Sequence, residues 1–421
     1  MKHRQTILEI LVAGGLFASL ASAQPPRFTV TDLGVVGAAG QPFVLTNNSL
    51  VSGAVTFGNT VRGVLYFNGR TLDIGSPGLH GPNSMAFGVN PQGQAVGEAE
   101  TFLPDRQGED FCGFAALGLQ SSGATCLPFV WQNGAMKPLQ TLGGANGAAN
   151  QINRRGEVAG MAENTIPDST CPKDSPQKFQ FKPMLWRNGN LQELPTYPGD
   201  PDGNALAIND NGQIAGGSGD CTAFSPITLT SLQSRHALLW ENGKATDLGT
   251  LGGTGNGNGI EAVNLNNSGQ IVGNSDLAGD TGFHAFLWTR ETGMQDLGTV
   301  KGDVNSAATS INDAGQIVGV SLDADFNPRA FLQVGKELID LNGLIPGGSP
   351  LYLATACFIN ARGEIIGIAI DKNSGDVHGY QAVPAPGDHR AGGPASPSGM
   401  ATPSFENFRK PPFLRYGMSR H

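Results

Sequence analysis

Charged residues are scarce in this chain of 421 residues. They make up 14% of it, whereas the average is near 25%. No basic stripe interleaved with aromatic residues is present, which argues against a nucleic-acid-binding protein. The formal net charge of −9 also disfavours anionic membrane surfaces, because like charges repel. We therefore expect neither nucleic acid nor a membrane surface as a partner.

Recognisable enzyme motifs are also missing. The sequence contains no G-x-S-x-G, no H-E-x-x-H and no phosphate-binding loop. The glycine-rich segment TLGGTGNGNG from Thr250 is not followed by a helical pattern that could hold a phosphate. The sequence thus assigns no catalytic residue, no metal ligand and no cofactor. An enzyme whose residues come from several repeats stays open, because such a site leaves no linear motif.

Long helical patterns are absent after the first 25 residues, and glycine is abundant instead. The 61 glycines are about twice the usual share of ~7%. Gly, Asn, Asp and Thr surround short apolar runs, which is typical of strands joined by tight turns. The composition therefore predicts an all-β protein.

One pattern recurs seven times: an apolar run that ends in Asn, a turn, and a second apolar run bounded by Gly. Clear copies are NQINRRGEVAG from Asn150 and ATSINDAGQIVG from Ala308. The repeated Asn is at positions 90, 153, 209, 266, 312 and 360. Thr46 replaces it in a degenerate copy of the repeat, VLTNNSLVSG from Val44. Such self-similarity is typical of stacked supersecondary units. We interpret this Asn as a residue that caps its own hairpin turn.

Three further elements follow in fixed order. They are an apolar run such as HAFLW from His284, a turn such as Asn242-Gly243, and a strand that ends in Asp-Leu-Gly, as at Asp296. Asn-Gly between apolar runs is a strong signal for a type I′ hairpin. Each repeat therefore predicts four antiparallel strands, which is the size of one propeller blade.

The ends of the repeat region predict how the blades close into a ring. FTVTDLG from Phe28 is an Asp-Leu-Gly strand with no partner before it, and HGYQAV from His378 is an apolar strand with no partner after it. Joined, they complete one blade. We therefore predict a seven-bladed β-propeller closed by pairing of the first and last strands, with the Asn-ending strands innermost. An open β-solenoid is the alternative.

The succession of HAFLW, DLGTLGG and INDNGQIAG elements resembles the HAF-repeat family of bacterial proteins, which is named for a His-Ala-Phe tripeptide. That tripeptide is intact at His284, Ala285 and Phe286, and the resemblance covers about residues 28–383. The resemblance implies an extracellular repeat protein. It implies no reaction and no functional residues.

The two ends of the chain differ from the repeats. Residues 1–23 have the basic start, the apolar run and the Ala21-Ser22-Ala23 cleavage pattern of a signal peptide. No other apolar stretch is long enough to span a bilayer. Residues 24–383 hold the seven repeats, and residues 384–421 predict a disordered, Pro/Gly-rich basic tail. We expect a secreted, periplasmic or extracellular monomer.

Five cysteines fit an oxidising compartment. Cys112, Cys126, Cys171 and Cys221 lie in variable loops, and Cys357 lies in a predicted strand, where we expect a free buried thiol. Four loop cysteines permit three pairings. We favour Cys112–Cys126, which closes a short local loop, and this leaves Cys171–Cys221 in corresponding loops of successive repeats.

Histidine and tryptophan recur at fixed repeat positions. His236, His284 and His378 fall on different blades, so they could converge on one metal only if they lined the central channel. We expect each instead to bond the backbone of a neighbouring blade. One Trp per repeat predicts packing between blades rather than a sugar platform. These residues are Trp131, Trp186, Trp240 and Trp288.

Acidic loops follow the Gly-bounded run in the late repeats. The spacing Asp323-x-Asp325-x-Asn327 resembles the start of a calcium loop. It lacks the Gly and the distal Glu that complete such a site. Because Asp and Asn are ordinary turn formers, we favour a turn over a calcium site.

The loops between the second and third strands of the repeats are uneven in length. Long insertions at 98–127, 162–182 and 218–235 occupy three successive repeats, and the other repeats bridge this gap in fewer than ten residues. Long loops on a rigid scaffold commonly carry function, and equivalent connections leave the same face. We therefore predict a binding module for an unknown protein or carbohydrate ligand. The alternatives are a hydrolase or lyase over the central channel, a purely structural surface protein, and insertions without function.

Overall fold

A computed structural model of the chain describes residues 26–36, 41–67, 69–75, 78–109, 111–112, 122–173, 175, 177–221, 234–255 and 260–385. The predicted signal peptide and nearly all of the predicted tail lie outside these residues. Most of the third insertion does so too.

In the described residues, twenty-eight strands form seven antiparallel four-stranded sheets, and each sheet is one blade. We number them along the chain from β1 (Phe28–Val35). Blade 1 contains β2 (Gln41–Leu45), β3 (Val51–Phe57), β4 (Thr60–Phe67) and β5 (Arg70–Asp73), and blade 2 contains β6 (His80–Val89), β7 (Ala95–Pro104), β8 (Ala124–Gln132) and β9 (Ala135–Pro138). Blade 3 contains β10 (Gly147–Ile152), β11 (Val158–Pro167), β12 (Phe179–Arg187) and β13 (Asn190–Glu193), and blade 4 contains β14 (Asp202–Ile208), β15 (Ile214–Gly219), β16 (His236–Glu241) and β17 (Lys244–Asp247).

Blade 5 contains β18 (Ile260–Leu265), β19 (Ile271–Asp276), β20 (Phe283–Thr289) and β21 (Gly293–Asp296), and blade 6 contains β22 (Asn305–Ile311), β23 (Ile317–Leu322), β24 (Pro328–Val334) and β25 (Glu337–Asp340). A short 3-10 helix, Leu341–Leu344, leads to blade 7, which contains β26 (Leu351–Ile359), β27 (Ile365–Asp371), β28 (Val377–Pro384) and β1. No helix in the described part of the chain is long and apolar enough to cross a membrane.

The seven blades form a ring around a central channel. The first strand of each blade, from β2 to β26, lies against the first strands of the blades on either side. The prediction that the Asn-ending strands are innermost is therefore confirmed. The ring covers both apolar faces of every blade, which no blade could bury alone.

Pairing of β1 with β28 closes the ring, as the sequence predicts. The register runs from Phe28 opposite Pro384 to Val35 opposite His378. β1 is thus the outer strand of blade 7, although it is the first strand in the chain. This pairing joins the two ends of the repeat region and removes an open blade edge.

Tight Asn-Gly turns join the outer strands of blades 2, 3 and 4, and their backbone angles match the sequence prediction. Asn133, Asn188 and Asn242 have φ between 51° and 52°. Glycines with φ between 75° and 82° follow them. Positive φ at both central residues is the requirement of the type I′ turn, and Asn-Gly meets it with little strain.

Large side chains fill the space between neighbouring blades. Trp240 of blade 4 is fully buried in a cluster with Leu185 and Leu194 of blade 3, and its Nε1 donates to the carbonyl oxygen of Pro195 at 2.7 Å. Trp186 likewise donates to Gln140 at 2.9 Å. The predicted packing role of the repeated tryptophans between blades is therefore confirmed.

Candidate ligand-binding surface

The strand directions give the ring two distinct faces. The hairpins that follow the Asn-ending strands leave one face, which we call the asparagine face. Because the strands in a blade are antiparallel, the loops between second and third strands all leave the opposite face. We call this the insertion face, since the three long insertions lie on it.

A belt of hydrogen bonds surrounds the channel on the asparagine face. In six blades the Nδ2 of the repeated Asn donates to the carbonyl oxygen of the equivalent residue in the next blade, at 2.9 to 3.3 Å. The donors of this asparagine belt are Asn90, Asn153, Asn209, Asn266, Asn312 and Asn360. Thr46 has no amide, and Asn48 instead donates to the Pro91 carbonyl oxygen at 3.2 Å.

The same asparagines cap their own turns, as predicted from the sequence. Oδ1 of Asn209, for example, accepts from the backbone nitrogens of Asn211 and Gln213, both at 3.0 Å. Each of these side chains therefore accepts hydrogen bonds from its own hairpin at Oδ1 and donates one to the next blade from Nδ2. That second role is not visible in the sequence, because it depends on how the blades stack.

The channel mouth on this face is a small polar cavity of about 160 Å³, lined by residues of all seven blades. Asparagine is the commonest lining residue, and no histidine occurs among the lining residues described. Asp210 and Asp313 are the carboxylates there. Asp210 accepts from the backbone nitrogen of Arg154 at 3.0 Å, and Asp313 accepts from Asn267 at 2.9 Å. Both therefore bind neighbouring blades, and the mouth has the amide character expected of a scaffold or binding surface.

Two blades have extended hairpins that protrude on the insertion face. β7 and β11 each have 10 residues and β8 and β12 each have 9, whereas the equivalent β15 and β16 of blade 4 have 6 each. The first and second predicted insertions thus begin as continuations of their blades. We call these two extensions the insertion hairpins.

A groove of about 370 Å³ lies between the insertion hairpins. Leu103 and Arg106 line it from blade 2, and Asn164 and Phe179 line it from blade 3. The connection between the blades, at 143–145, also lines it. This insertion groove combines apolar, amide and cationic groups at a volume within the range of ligand pockets, which is about 300–1,000 Å³.

Large apolar side chains are exposed on both insertion hairpins. Phe102 is 71% exposed, Leu103 is 51% exposed, and Ile166 is 56% exposed. Burying such a side chain completely yields about 1.5–3 kcal/mol, so a partner that covered these residues would gain binding free energy. The sequence did not single out these residues, although they lie within the insertions it did identify.

Two disulfides brace this face with the pairing favoured from the sequence. Cys112 bonds Cys126 within the first insertion, and Cys171 bonds Cys221 between the second and third insertions. Cys357 is unpaired, as expected, but it is half-buried rather than buried. Its position in the bulge of β26 explains the difference, because the bulged residue leaves the regular alternation of the strand.

Buried carboxyl groups concentrate beneath the insertion groove. Glu163 of β11 is fully buried, and its Oε2 accepts from the backbone nitrogens of Ala145 and Asn146 at 2.6 and 3.0 Å. Glu109 of the first insertion accepts from Asn146 Nδ2 at 3.0 Å and from the Lys178 backbone nitrogen at 2.6 Å. Burial, then the hydrogen bond and the charge of Glu109, raise the pKa of Glu163 to about 9.

A second carboxyl pair lies at the next blade joint. Asp202 of β14 accepts from the Phe181 backbone nitrogen at 2.8 Å and from Gln177 at 3.0 Å. Asp168 of the second insertion is its carboxyl neighbour. Burial, then the hydrogen bond and charge of Asp168, raise the pKa of Asp202 to about 8.

The predicted partners of the histidines are wrong, although the histidines are structural. Each imidazole Nδ1 contacts a carboxylate rather than the backbone of a neighbouring blade. His284 pairs with Asp296 at 2.9 Å within its own blade, and His378 pairs with Asp32 at 2.9 Å. His236 instead pairs with Asp200, in the connection between blades 3 and 4, at 2.8 Å. The charge of these carboxylates explains the preference, because a charged acceptor binds more strongly than a carbonyl.

The calcium-like spacing forms a turn. Oδ1 of Asp323 accepts from the backbone nitrogens of Asp325 and Asn327, both at 2.9 Å, and Oδ2 accepts from the Asn327 side chain. Both carboxylate oxygens are therefore occupied by the loop itself. This agrees with the preferred interpretation from the sequence.

Comparison with known proteins identifies no family and gives only distant structural similarity. No protein-family model matches the chain, and no curated protein matches it. An acylaminoacyl peptidase from Pyrococcus horikoshii is similar at 10% identity and a TM-score of 0.46, over 83% of this chain and 52% of that one. The chain thus spans about half the length of that peptidase.

Two other solved structures show a comparable similarity. The β-propeller domain of the trilobed protease from Pyrococcus furiosus has 9% identity and a TM-score of 0.32, over 75% of this chain and 98% of that one. TolB from Acinetobacter baumannii has 10% identity and a TM-score of 0.33, over 76% of this chain and 61% of that one. Scores this low carry no information about activity.

Proposed function

We propose that this protein is an exported binding module of the HAF-repeat type, and that its ligand-binding surface is the insertion groove with the two insertion hairpins. The ring supplies a rigid base, and the disulfides hold the variable segments on it. The observation that supports this most directly is the exposure of Leu103 in a preformed groove, with Phe102 and Ile166 exposed on the hairpins that flank it. Export is supported by the two disulfides, which are typical of an oxidising compartment.

The ligand that we propose is a polypeptide outside the cytoplasm. Three exposed large apolar side chains on two neighbouring hairpins suit a peptide or protein surface, since such side chains act as anchors at interfaces. Arg106, Asn164 and the groove backbone would supply polar contacts between the anchors. A carbohydrate is the competing ligand, which would need Phe179 as a stacking platform.

Site-specific photocrosslinking tests this proposal. A photoreactive amino acid at Leu103 should give a discrete crosslinked polypeptide when the protein is expressed in cells that naturally export it. The same amino acid at Leu72 is the matched control, because Leu72 is also a leucine that is 51% exposed but lies on the outer strand of blade 1. The adduct at Leu103 should disappear when Phe102 and Ile166 are both changed to Ser.

Two results would contradict the proposal. The first is an identical adduct pattern at Leu103 and Leu72, or no adduct at either position. The second is saturable binding to a glycan array that a Phe179→Ala variant loses, which would identify the ligand as carbohydrate.

A further inference from the structure

The two buried carboxyl pairs lie at the two joints between the three insertion-bearing blades. In each pair one carboxyl belongs to an insertion and the other belongs to a strand of the following blade. Glu109 of the first insertion meets Glu163 of blade 3, and Asp168 of the second insertion meets Asp202 of blade 4. The same arrangement thus occurs twice.

In the first pair, Asn146 brings the two carboxyls together. It donates its backbone N–H to Glu163 and its side-chain amide to Glu109. The other oxygen of Glu163, Oε1, is buried and accepts no hydrogen bond from a described donor. A proton on Oε1 that is donated to Glu109 would satisfy that oxygen and remove the repulsion between the carboxylates.

The second pair has the same deficiency. Oδ1 of Asp168 accepts from the backbone nitrogen and the hydroxyl of Thr170, at 2.7 and 2.6 Å. Oδ2 of Asp168 is buried and accepts from no described donor. Again a single proton between the two carboxyls would complete the hydrogen bonding.

A proton fits these sites better than a metal ion. Calcium takes six to eight oxygen ligands, and each pair offers two carboxyl groups. Among the described residues, three potential ligand atoms come within 4.8 Å of one another only in groups that contain both cysteines of a disulfide, so no third carboxyl joins either pair.

We propose that each pair shares one proton, and that this shared proton fastens the insertion of one blade to the next blade, so that the insertion face loosens as the pH rises. The first pair supports the floor of the insertion groove, because Glu163 accepts from Ala145. Loss of its proton would therefore release the groove as well as the first insertion. This inference concerns the face itself and does not depend on the identity of a ligand.

Other charged groups around the pairs are mostly acidic. Asp105 shares the donor Asn146 with Glu109, at 3.4 Å, and Glu98 and Glu100 lie on β7, which packs against blade 3. Arg106 lines the exposed groove above. Beside the second pair, Asp200 is occupied by His236 and Ser218, and Lys182 donates to the Pro201 carbonyl oxygen. The backbone of Lys178 lies between the pairs, since its N–H donates to Glu109 and its carbonyl oxygen accepts from the Asp168 N–H, but its ammonium donates to the Ser175 carbonyl oxygen. No described side-chain cation contacts either pair directly, so a proton remains the means of neutralising it.

The direction of the pH effect follows from the raised pKa values. Carboxyls in an opened insertion should titrate near 4.3 for Glu and 3.9 for Asp, whereas Glu163 and Asp202 titrate at about 9 and about 8 in the closed structure. At pH values between the pKa of the open form and the pKa of the closed form, the closed form holds one more proton per pair than the open form. The stability of the closed insertion face is therefore greatest at low pH and falls as the pH rises. For a linkage of one proton, the equilibrium constant for opening increases about tenfold per pH unit from pH 5 to 8.

Hydrogen exchange at pH 5 to 8, corrected for the intrinsic exchange rate, tests this on the full oxidised chain. In the wild type, opening of segments 105–109 and 163–170 should rise about tenfold per pH unit. Glu163→Gln should abolish the slope at 105–109, and Asp168→Asn should abolish it at 168–170, because each amide donates where the shared proton did. Each variant should leave the slope at the other pair unchanged.

Glu157→Gln is the control, because Glu157 is ion-paired to Arg155 and Arg187 on the asparagine face. It should leave both slopes unchanged. A flat wild-type profile between pH 5 and 8 would overturn the proposal, as would a wild-type slope in Glu163→Gln and Asp168→Asn. Suppression of the slope by 1 mM CaCl₂ would overturn it too, since it would show that a cation takes the place of the proton.

Discussion

At the residue scale, the glycine of the Gly-bounded run is required in five blades by the bulge that it faces. These glycines are Gly97, Gly160, Gly216, Gly319 and Gly367. Every innermost strand has a register shift near its middle, for example between Ala308 and Ser310 in β22. The bulge brings the backbone of the innermost strand close to Gly319 on the second strand. A Cβ on Gly319 would lie 2.1 Å from the Ala307 carbonyl oxygen and 2.8 Å from the Phe331 ring. The repeated glycine therefore reflects a close backbone approach rather than flexibility.

Gly319→Ala should destabilise the protein by about 3 kcal/mol, because the strand or the Phe331 ring must shift to admit a methyl group. Urea unfolding of the purified oxidised chain measures this. Gly347→Ala is the control, since a Cβ there would meet nothing within 4 Å and its φ is not positive. Equal stability of the two variants would show that the bulge yields at little cost.

At the element scale, the asparagine belt explains why one amide recurs at the end of every innermost strand but the first. Each amide links two blades and also closes a hairpin, so both of its ends are occupied. A serine or aspartate could cap the turn. Neither could also donate to the next blade from a second atom, because only the amide carries both an acceptor oxygen and a donor nitrogen on the same carbon.

Asn266→Asp should separate these two roles. One carboxylate oxygen still accepts from the backbone nitrogens of Ser268 and Gln270. The other replaces the amide nitrogen, and it faces the two oxygens to which that nitrogen donates, the Asn312 carbonyl oxygen and Gln270 Oε1. We expect a loss of about 2 kcal/mol in unfolding free energy at pH 7, because a buried acceptor is left unpaired.

Asn211→Asp is the matched control for this prediction. It is the same substitution on the exposed outer edge of the asparagine face, where Asn211 donates to the Asn267 carbonyl oxygen at 2.8 Å. A loss of the same size in both variants would show that the belt has no special role. Thermal or urea unfolding would distinguish the outcomes.

At the scale of the whole molecule, the ring depends on one strand from the other end of the chain. β1 covers the edge of β28, and Phe28 is buried in a cluster with residues of blades 6 and 7. Asp32 of β1 also pairs with the buried His378. Closure thus combines backbone pairing, apolar burial and a hydrogen-bonded carboxylate at one joint.

A chain that begins at Gly37 should lose this joint and melt at a lower temperature than a chain that begins at Pro26. We expect a fall in Tm of roughly 10 °C or more, since several kcal/mol of burial and pairing are removed. A peptide of residues 26–36, added in excess, should restore part of the loss. Equal melting of the two chains would show that the ring holds without β1.

The sequence by itself determined the repeat, the four strands of each blade and the closing pair, and it favoured one of the three possible disulfide pairings. These follow from local signals that need no knowledge of tertiary contacts: Asn-Gly turns, apolar runs, a strand without a partner at each end of the repeats, and the spacing of four cysteines. The conformation of the outer turns could also be predicted from the sequence, because positive φ at both central residues restricts these positions largely to Asn and Gly.

The tertiary structure alone decided the asparagine belt, the carboxylate partners of the histidines, the insertion groove and the two carboxyl pairs. The pairs of His284 and His378 lie within one blade. The others join residues from different blades, such as Glu109 with Glu163, or Asn209 with the Asn266 carbonyl oxygen at 2.9 Å. Their energies depend on burial and on the stacking of one blade against the next. A single repeat contains neither, because its faces become buried only when the ring is complete.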